Sequence, residues 1–277
     1  MNYSFCVSIP VHEEPKVILD QVLNIFKFLG DKTLIVLHLS KGFDFKGILN
    51  KDFSFLALDN VVINPSKLPT ARGNLVHIHN SNFKFAQTNF DFDFFLLHSS
   101  NDMYVRHGGG GYIINAKNGI HQQPTSKELN WKQSKMAYED IELKNIMKHL
   151  GCNDILGTQP EGLFFQKEVF NEMVKVIDKF FMFGRNEHYC REEIYYSTII
   201  NKFTNDISTP LLYSELCRKK IDLKLINSIN QSMYKEEEID DNGVGKYKLY
   251  DFDNIYAVKR INRKYNDRLR KQIRSLN

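Results

Sequence analysis

Apolar residues fall in two rhythms along the first hundred positions. Tyr3–Ile9 is a short apolar run ended by Pro10, the pattern of a buried strand. In Lys16–Leu29 the residues Ile18, Val22, Ile25 and Leu29 share one helical face, and Gly30 supplies a stop. Thr33–Leu39 returns to a strand rich in β-branched residues and leucine. Strand, helix and strand in close succession make a βαβ unit and hence a parallel strand pair. Val61–Ile63, Asn74–Ala86 and Phe94–Leu97 repeat the order strand, helix, strand, and the polar loop His98–Asp102 follows.

Beyond that loop the periodicity weakens. Tyr104–Trp131 is polar and irregular and contains the run Gly108–Gly111. It reads as a long loop, either functional or disordered, and not as a phosphate-binding loop, since no Gly-Lys-Ser/Thr ending follows. Helical spacing returns at Tyr138–Leu150, Lys167–Phe180 and Glu192–Phe203, with a strand at Gly162–Phe165. Glu236–Asp241 is acidic and expected to be exposed. Tyr247–Tyr250 and Ile255–Val258 read as a hairpin around Asp251–Asn254. Tyr265, Leu269, Ile273 and Leu276 mark a last helix with a narrow apolar stripe. No internal repeat or linker divides the chain, so the expectation is one α/β domain with a central, mostly parallel sheet flanked by helices.

Composition adds three points. The chain has 277 residues, 42% of them hydrophobic, which is enough for a sizeable core. Aromatics reach 13%; such rings stack on sugar faces, but they also fill cores. The net charge of +4 is concentrated near the end, where Lys259, Arg260, Arg263, Lys264, Arg268, Arg270, Lys271 and Arg274 face one acid, Asp267. Such a patch attracts phosphates on nucleotides, lipids or nucleic acid. No nucleic-acid-binding motif accompanies it, so nucleic acid is not an expected partner. Cys6, Cys152, Cys190 and Cys217 are scattered without a Cys-x-x-Cys pair, which argues against zinc and disulfides and for a reducing compartment. The opening residues lack a signal-peptide pattern and no window approaches a membrane span. A cytoplasmic protein is expected, with peripheral contact to an anionic membrane through the basic tail.

Several residues carry candidate chemistry. Glu193, in the first turn of its predicted helix, either favours the helix dipole or serves as a general base, and the adjacent Glu192 could take the same role. Lys259 and Arg260, ending a predicted strand, could hold a diphosphate in place of a metal. Asp91 and Asp93 precede their strand, the wrong end for ligands in an open α/β sheet. Asp251 and Asp253 fit a turn. Asp102 alone is well placed, and one carboxylate is a thin basis for a magnesium site. His12, His38 and Ser40 lie beyond the first two strands and could line a nucleotide pocket or form loop hydrogen bonds. Arg72, His77 and His79 share a segment with no third metal ligand in view.

These segments, in this order, resemble the core-2/I-branching N-acetylglucosaminyltransferase and peptide xylosyltransferase family. The resemblance runs from Phe5–His12 through Leu34–Lys41, with Ser40 where the family has Asp, and Asp93–Asp102. It continues through Gly157–Phe170, Glu193–Ile199 and Tyr256–Arg260, with Pro160-Glu161-Gly162 where the family has an aromatic. It implies a GT-A-like fold with a nucleotide-binding half over about 1–105 and an acceptor half over about 106–277. It implies inverting, metal-independent transfer from a UDP-sugar (GlcNAc, xylose or glucose type) to a glycan or glycolipid hydroxyl, with no cofactor. Glu193 maps onto the family's base, Thr198 onto the Thr five residues later, and Lys259 onto the diphosphate ligand with Arg260 beside it. His12, His38, Ser40 and Arg72 would border the nucleotide, and Asp102, Glu161 and Thr198 the sugar or acceptor. A bacterial or viral member is implied.

Overall fold

The computed structural model of the protein describes residues 2–11, 13–41, 58–70, 75–181, 189–214, 221–231 and 252–276. In chain order the first half comprises β1 (Asn2–Val11), α1 (Pro15–Leu29), β2 (Thr33–Leu39), β3 (Val61–Ile63), α2 (Leu75–Asn89), β4 (Asp91–Leu97), β5 (Met103–Tyr104) and α3 (Gly109–Ala116). Next come β6 (Gln123–Pro124), α4 (Lys132–Ala137), α5 (Ile141–Leu150), β7 (Leu156–Gly157), β8 (Phe164–Gln166) and α6 (Lys167–Phe180). A 3-10 turn at Arg191–Glu193 precedes α7 (Tyr195–Ile199), and β9 (Leu212–Ser214), α8 (Leu223–Asn230), β10 (Ala257–Lys259) and α9 (Arg268–Arg274) follow.

The main sheet has the order β3-β2-β1-β4-β8, parallel except for β8. β1 lies between β2 and β4 and is buried along most of its length, as a strand covered on both faces must be. Phe5, Val7, Ile9 and Val11 pack under α1 with Ile35, Leu37 and Leu39. Cys6, Leu34, Val36, Phe95 and Leu97 pack on the other face with Val76, Phe83 and Ala86 of α2. This two-residue alternation gives each face its own helix. Fully burying one such aliphatic side chain contributes roughly 1.5–3 kcal/mol, so a charge at Val7 would break the sheet centre. Pro15 opens α1 and Gly30, at φ 88°, closes it by donating to the Phe26 carbonyl at 2.9 Å.

The smaller sheet is β5-β10-β9, with β10 antiparallel to β5 and parallel to β9. Asn24 of α1 ties it down, its amide donating to the Tyr104 carbonyl at 2.9 Å and its oxygen accepting the Tyr104 N–H at 2.7 Å. Both edges of β10 are thus occupied by distant strands, which corrects the expected hairpin; Tyr247–Tyr250 and Glu236–Asp241 lie outside the described residues.

The Gly108–Gly111 run also departs from expectation, because it opens α3. Gly108 sits at φ 96°, a conformation that glycine adopts without a steric penalty. A Cβ on Gly109 would lie 3.3 Å from Tyr256 and one on Gly110 3.2 Å from the Phe5 ring. The glycines let this helix press onto the sheet near the amino end of β1. No helix among the described residues is long and apolar enough to cross a membrane.

Candidate active site

In the order 3-2-1-4, the chain leaves β1 and β4 in opposite directions, and the crevice beyond their carboxyl ends is where an open α/β sheet binds ligands. The loop after β4 is fastened there from within. Asp102 accepts from the Ser99 N–H at 2.7 Å and lies 3.5 Å from His98 Nδ1, while His98 Nε2 is 3.0 Å from the Tyr104 hydroxyl. Glu13, beyond β1, accepts from Ser100 Oγ at 3.3 Å and pairs with Arg263 at 3.0 Å.

Glu161 projects into this crevice from the turn closed by Gly162, which sits at φ 78° against Leu212. Its carboxylate accepts from Ser99 Oγ at 2.9 Å and from Gln159, and it forms an ion pair with Lys259 at the end of β10. Burial opposes its charge, but Lys259 and these hydrogen bonds outweigh burial and hold the carboxyl below its usual range. Asp102 moves the other way: burial raises it despite the opposing pull of His98 and Lys259.

Glu192 and Glu193 come from the 3-10 turn before α7. Glu192 is buried, its Oε2 has no hydrogen-bond partner, and burial pushes its carboxyl up to about 8, with the negative charges of Glu193 and Glu161 adding to the rise. It lines a recess of about 30 Å³ with Pro10, His79, His98, Ser99 and Glu161, room for a water or one small group. His79 is kept neutral there, since burial lowers it to about 3, and its Nδ1 lies 2.8 Å from Ser8 Oγ. Glu193 is partly exposed and is pushed up to about 7 by its dense surroundings and by Glu161, against hydrogen bonds with Gln133 and Cys190. Larger recesses lie elsewhere. One of about 600 Å³ is at the amino ends of β1 and β4, opposite the crevice. One of about 250 Å³ lies between α1 and the α9 segment.

The turn is anchored from behind by one carboxylate. Asp140 caps α5, accepting the Glu142 N–H at 2.9 Å and the Leu143 N–H at 3.3 Å on Oδ1. Its Oδ2 accepts from the Tyr189 hydroxyl at 2.5 Å, the Tyr195 hydroxyl at 2.7 Å and Arg191 Nε at 3.1 Å. Arg191 also pairs with Glu142 at 2.9 Å. In front, the Thr158 N–H donates to the Glu193 carbonyl at 2.7 Å.

The structure therefore brings Glu193, Lys259, Glu161 and Asp102 to one crevice, with the exposed Arg260 next to Lys259. Glu193 is not in the first turn of an α-helix, because a 3-10 turn and the break at Ile194 intervene. His38 is buried, its Nε2 3.0 Å from the Leu68 carbonyl, and burial lowers its pKa. Ser40 Oγ accepts from the Thr70 N–H at 2.9 Å. Both shape the segment beyond β3. Thr198 is buried behind the turn, where its Oγ1 accepts from the Leu156 N–H at 3.1 Å and donates to the Leu156 carbonyl. His12 and Arg72 lie outside the described residues. In the basic tail, Arg270 and Arg274 are paired with Asp20 at 2.8 and 3.1 Å and Lys259 is buried, which leaves a smaller exposed set of Arg260, Arg263, Lys264, Arg268 and Lys271. Among the described residues no group of three or more His, Cys, Asp or Glu side chains is arranged to hold a metal. The sequence reading left Glu192 second to Glu193 and missed Asp140; the only local sign of Asp140 is its position just before a helical run.

No family model and no curated protein sequence matches the chain. Among solved structures it is similar to S. aureus TarS 1–349, at 14% identity and a TM-score of 0.44 over 74% of this chain and 57% of that one. A longer S. aureus TarS structure gives 14% identity and a TM-score of 0.45 over 74% of this chain. The chain spans 35% of that longer structure's length. An active-site mutant of LgtC gives 7% identity and a TM-score of 0.47 over 98% of this chain and 94% of that one. At TM-scores below 0.5 these likenesses carry no weight in assigning the chemistry.

Proposed function

We propose that the protein is an inverting glycosyltransferase that moves a sugar from a UDP-sugar to a glycan or glycolipid hydroxyl without a metal. The observation that carries this reading is the crevice beyond β1 and β4. There a buried lysine is ion-paired to Glu161, and burial raises the carboxyls of the adjacent glutamates Glu192 and Glu193 to about 8 and about 7. A general base works best when its pKa lies close to the working pH. Glu193, the member of the pair open to solvent, takes the proton of the acceptor hydroxyl as that oxygen attacks the anomeric carbon in line. Lys259 stabilises the departing diphosphate, with Arg260 beside it, and Glu161 is its partner until the donor arrives. His38 and Ser40 hold the segment that would flank the nucleotide. The resemblance to the core-2/I-branching family supports the same roles for Glu193 and Lys259. The donor sugar in this reading is of the GlcNAc, xylose or glucose type.

One observation favours a second reading: Asp102 Oδ1 is buried without a hydrogen-bond partner and could serve a divalent cation. UDP release from a panel of UDP-sugars, with EDTA or Mg²⁺, separates the two. Release that ignores EDTA and is lost in Glu193→Gln supports the metal-free reading. Release abolished by EDTA moves the chemistry to Asp102. Donor binding without turnover makes the protein a binding relative, and no binding of any UDP-sugar overturns the assignment.

A further inference from the structure

We propose that Asp140 is a positioning residue for the Glu192–Glu193 pair, holding from behind the turn that aims these carboxyls at the crevice. The inference rests on the glutamates being the working carboxylates of the proposed site. Its basis is geometric. One oxygen of Asp140, Oδ2, gathers both flanks of the turn, accepting from Tyr189 and Arg191 before Glu192 and from Tyr195 after Glu193, while Oδ1 caps α5. Asp140, Arg191 and Glu142 are each almost fully buried. A buried ion-pair network of this kind adds little net stability over apolar packing, so specifying one geometry is its best-founded use. None of these side chains lines the recess, and Asp140 touches neither glutamate's carboxyl; its effect passes through the backbone of residues 191–195.

The turn needs such a brace. Within this three-residue 3-10 turn the backbone bonds run from the Glu193 N–H to the Cys190 carbonyl and from the Ile194 N–H to the Arg191 carbonyl, a short ladder of poorer geometry than an α-helix. The charged groups around it are Asp140, Arg191, Glu142, Glu161 and Lys259, with Tyr189 and Tyr195 as neutral donors and His77 and His79 held neutral by burial.

The test uses the full chain with Tyr195→Phe, which removes one of the clamp's hydroxyls without changing charge, and Asp140→Asn as the stronger variant. Circular dichroism and thermal unfolding establish that each is folded. For Tyr195→Phe, donor KM should stay within about twofold while kcat for UDP release falls roughly tenfold or more, because misplacing a reacting group degrades the chemical step. In a Glu193→Gln background the same substitution should have little further effect, since groups that act as a unit are non-additive. An unchanged kcat with a lowered Tm, or full additivity in the double variant, would overturn the proposal. Carbon-13 carboxyl NMR gives a readout independent of turnover. Both variants should shift the Glu192 and Glu193 carboxyl titrations relative to the wild type, in which burial raises both above the usual carboxylate range. Unmoved titrations in a folded variant overturn the proposal even if no UDP-sugar is turned over, a result that would sink the glycosyltransferase reading separately.

Discussion

Two buried clusters of charge lie on opposite sides of the Arg191–Glu193 turn, and they are balanced differently. Behind it, Asp140 has both carboxylate oxygens bonded, and Arg191 is shared between Asp140 and Glu142. In front, one buried lysine stands among Glu161, Glu192 and Glu193. Glu161 takes Lys259, Glu192 keeps an oxygen without a partner, and the pair of glutamates is pushed toward neutral pH. The rear cluster is a finished structural joint, whereas the front cluster keeps two carboxyls with raised pKa and a carboxyl oxygen without a hydrogen-bond partner. Counting buried charges would rate the two alike; following each oxygen to its partner separates them.

The comparison can be broken most directly at the front. Glu193→Gln should lower kcat for UDP release ~100- to 10,000-fold, the usual range for a lost general base, while leaving Tm nearly unchanged. A loss below threefold would remove Glu193 from the mechanism. Lys259→Ala should come next, destabilising the protein by about 3–5 kcal/mol because Glu161 is left buried and unpaired. Adding Glu161→Gln should recover most of that stability in urea unfolding but not donor affinity, which calorimetry would read.

The pH dependence gives a finer measure. Glu192 has a folded pKa of about 8 against an ordinary 4.5, so the folded state binds more protons than the unfolded one between those values. Stability should therefore fall as pH rises from about 4.5 to 8 and level off above. Glu192→Gln should flatten that slope, and the rate of UDP release should rise with pH through about 7 as Glu193 ionises. An unchanged slope would show that Glu192 ionises in the folded protein much as it does in the unfolded chain. The smallest effect is expected at Thr198→Val, which loses the bonds to Leu156 at a cost of about 1 kcal/mol and leaves donor KM untouched. A large change in KM would put Thr198 at the substrate after all.

The sheet was legible because its strands are short and apolar and its helices carry clean stripes. Thr33–Leu39, Val61–Ile63 and Lys167–Phe180 are read at the bounds the structure gives them. The glycine run was misread because its reason is a contact with Phe5 and Tyr256, residues remote in the chain. The helix expected from Glu192 fails at its first turn, where bonds to Asp140 and Thr158 override local propensity. Of the residues the crevice gathers, Glu193 was marked by its place at an expected helix start, Lys259 by its place at a strand end and Asp102 by its position after a strand, with the resemblance adding to the first two. The pairing of Glu161 with Lys259 and the role of Asp140 were not legible. Each joins residues about fifty to a hundred positions apart, and no short-range pattern records such contacts.

The placement of β10 between β5 and β9 has a consequence for how the molecule comes together. Its two neighbours are made well before it during synthesis, and domains fill in from the amino end as the chain emerges. Until Ala257–Lys259 slots between them, the small sheet has a gap at its centre and Glu161 has no cation. Closure of the small sheet and the pairing of Glu161 with Lys259 are thus one event.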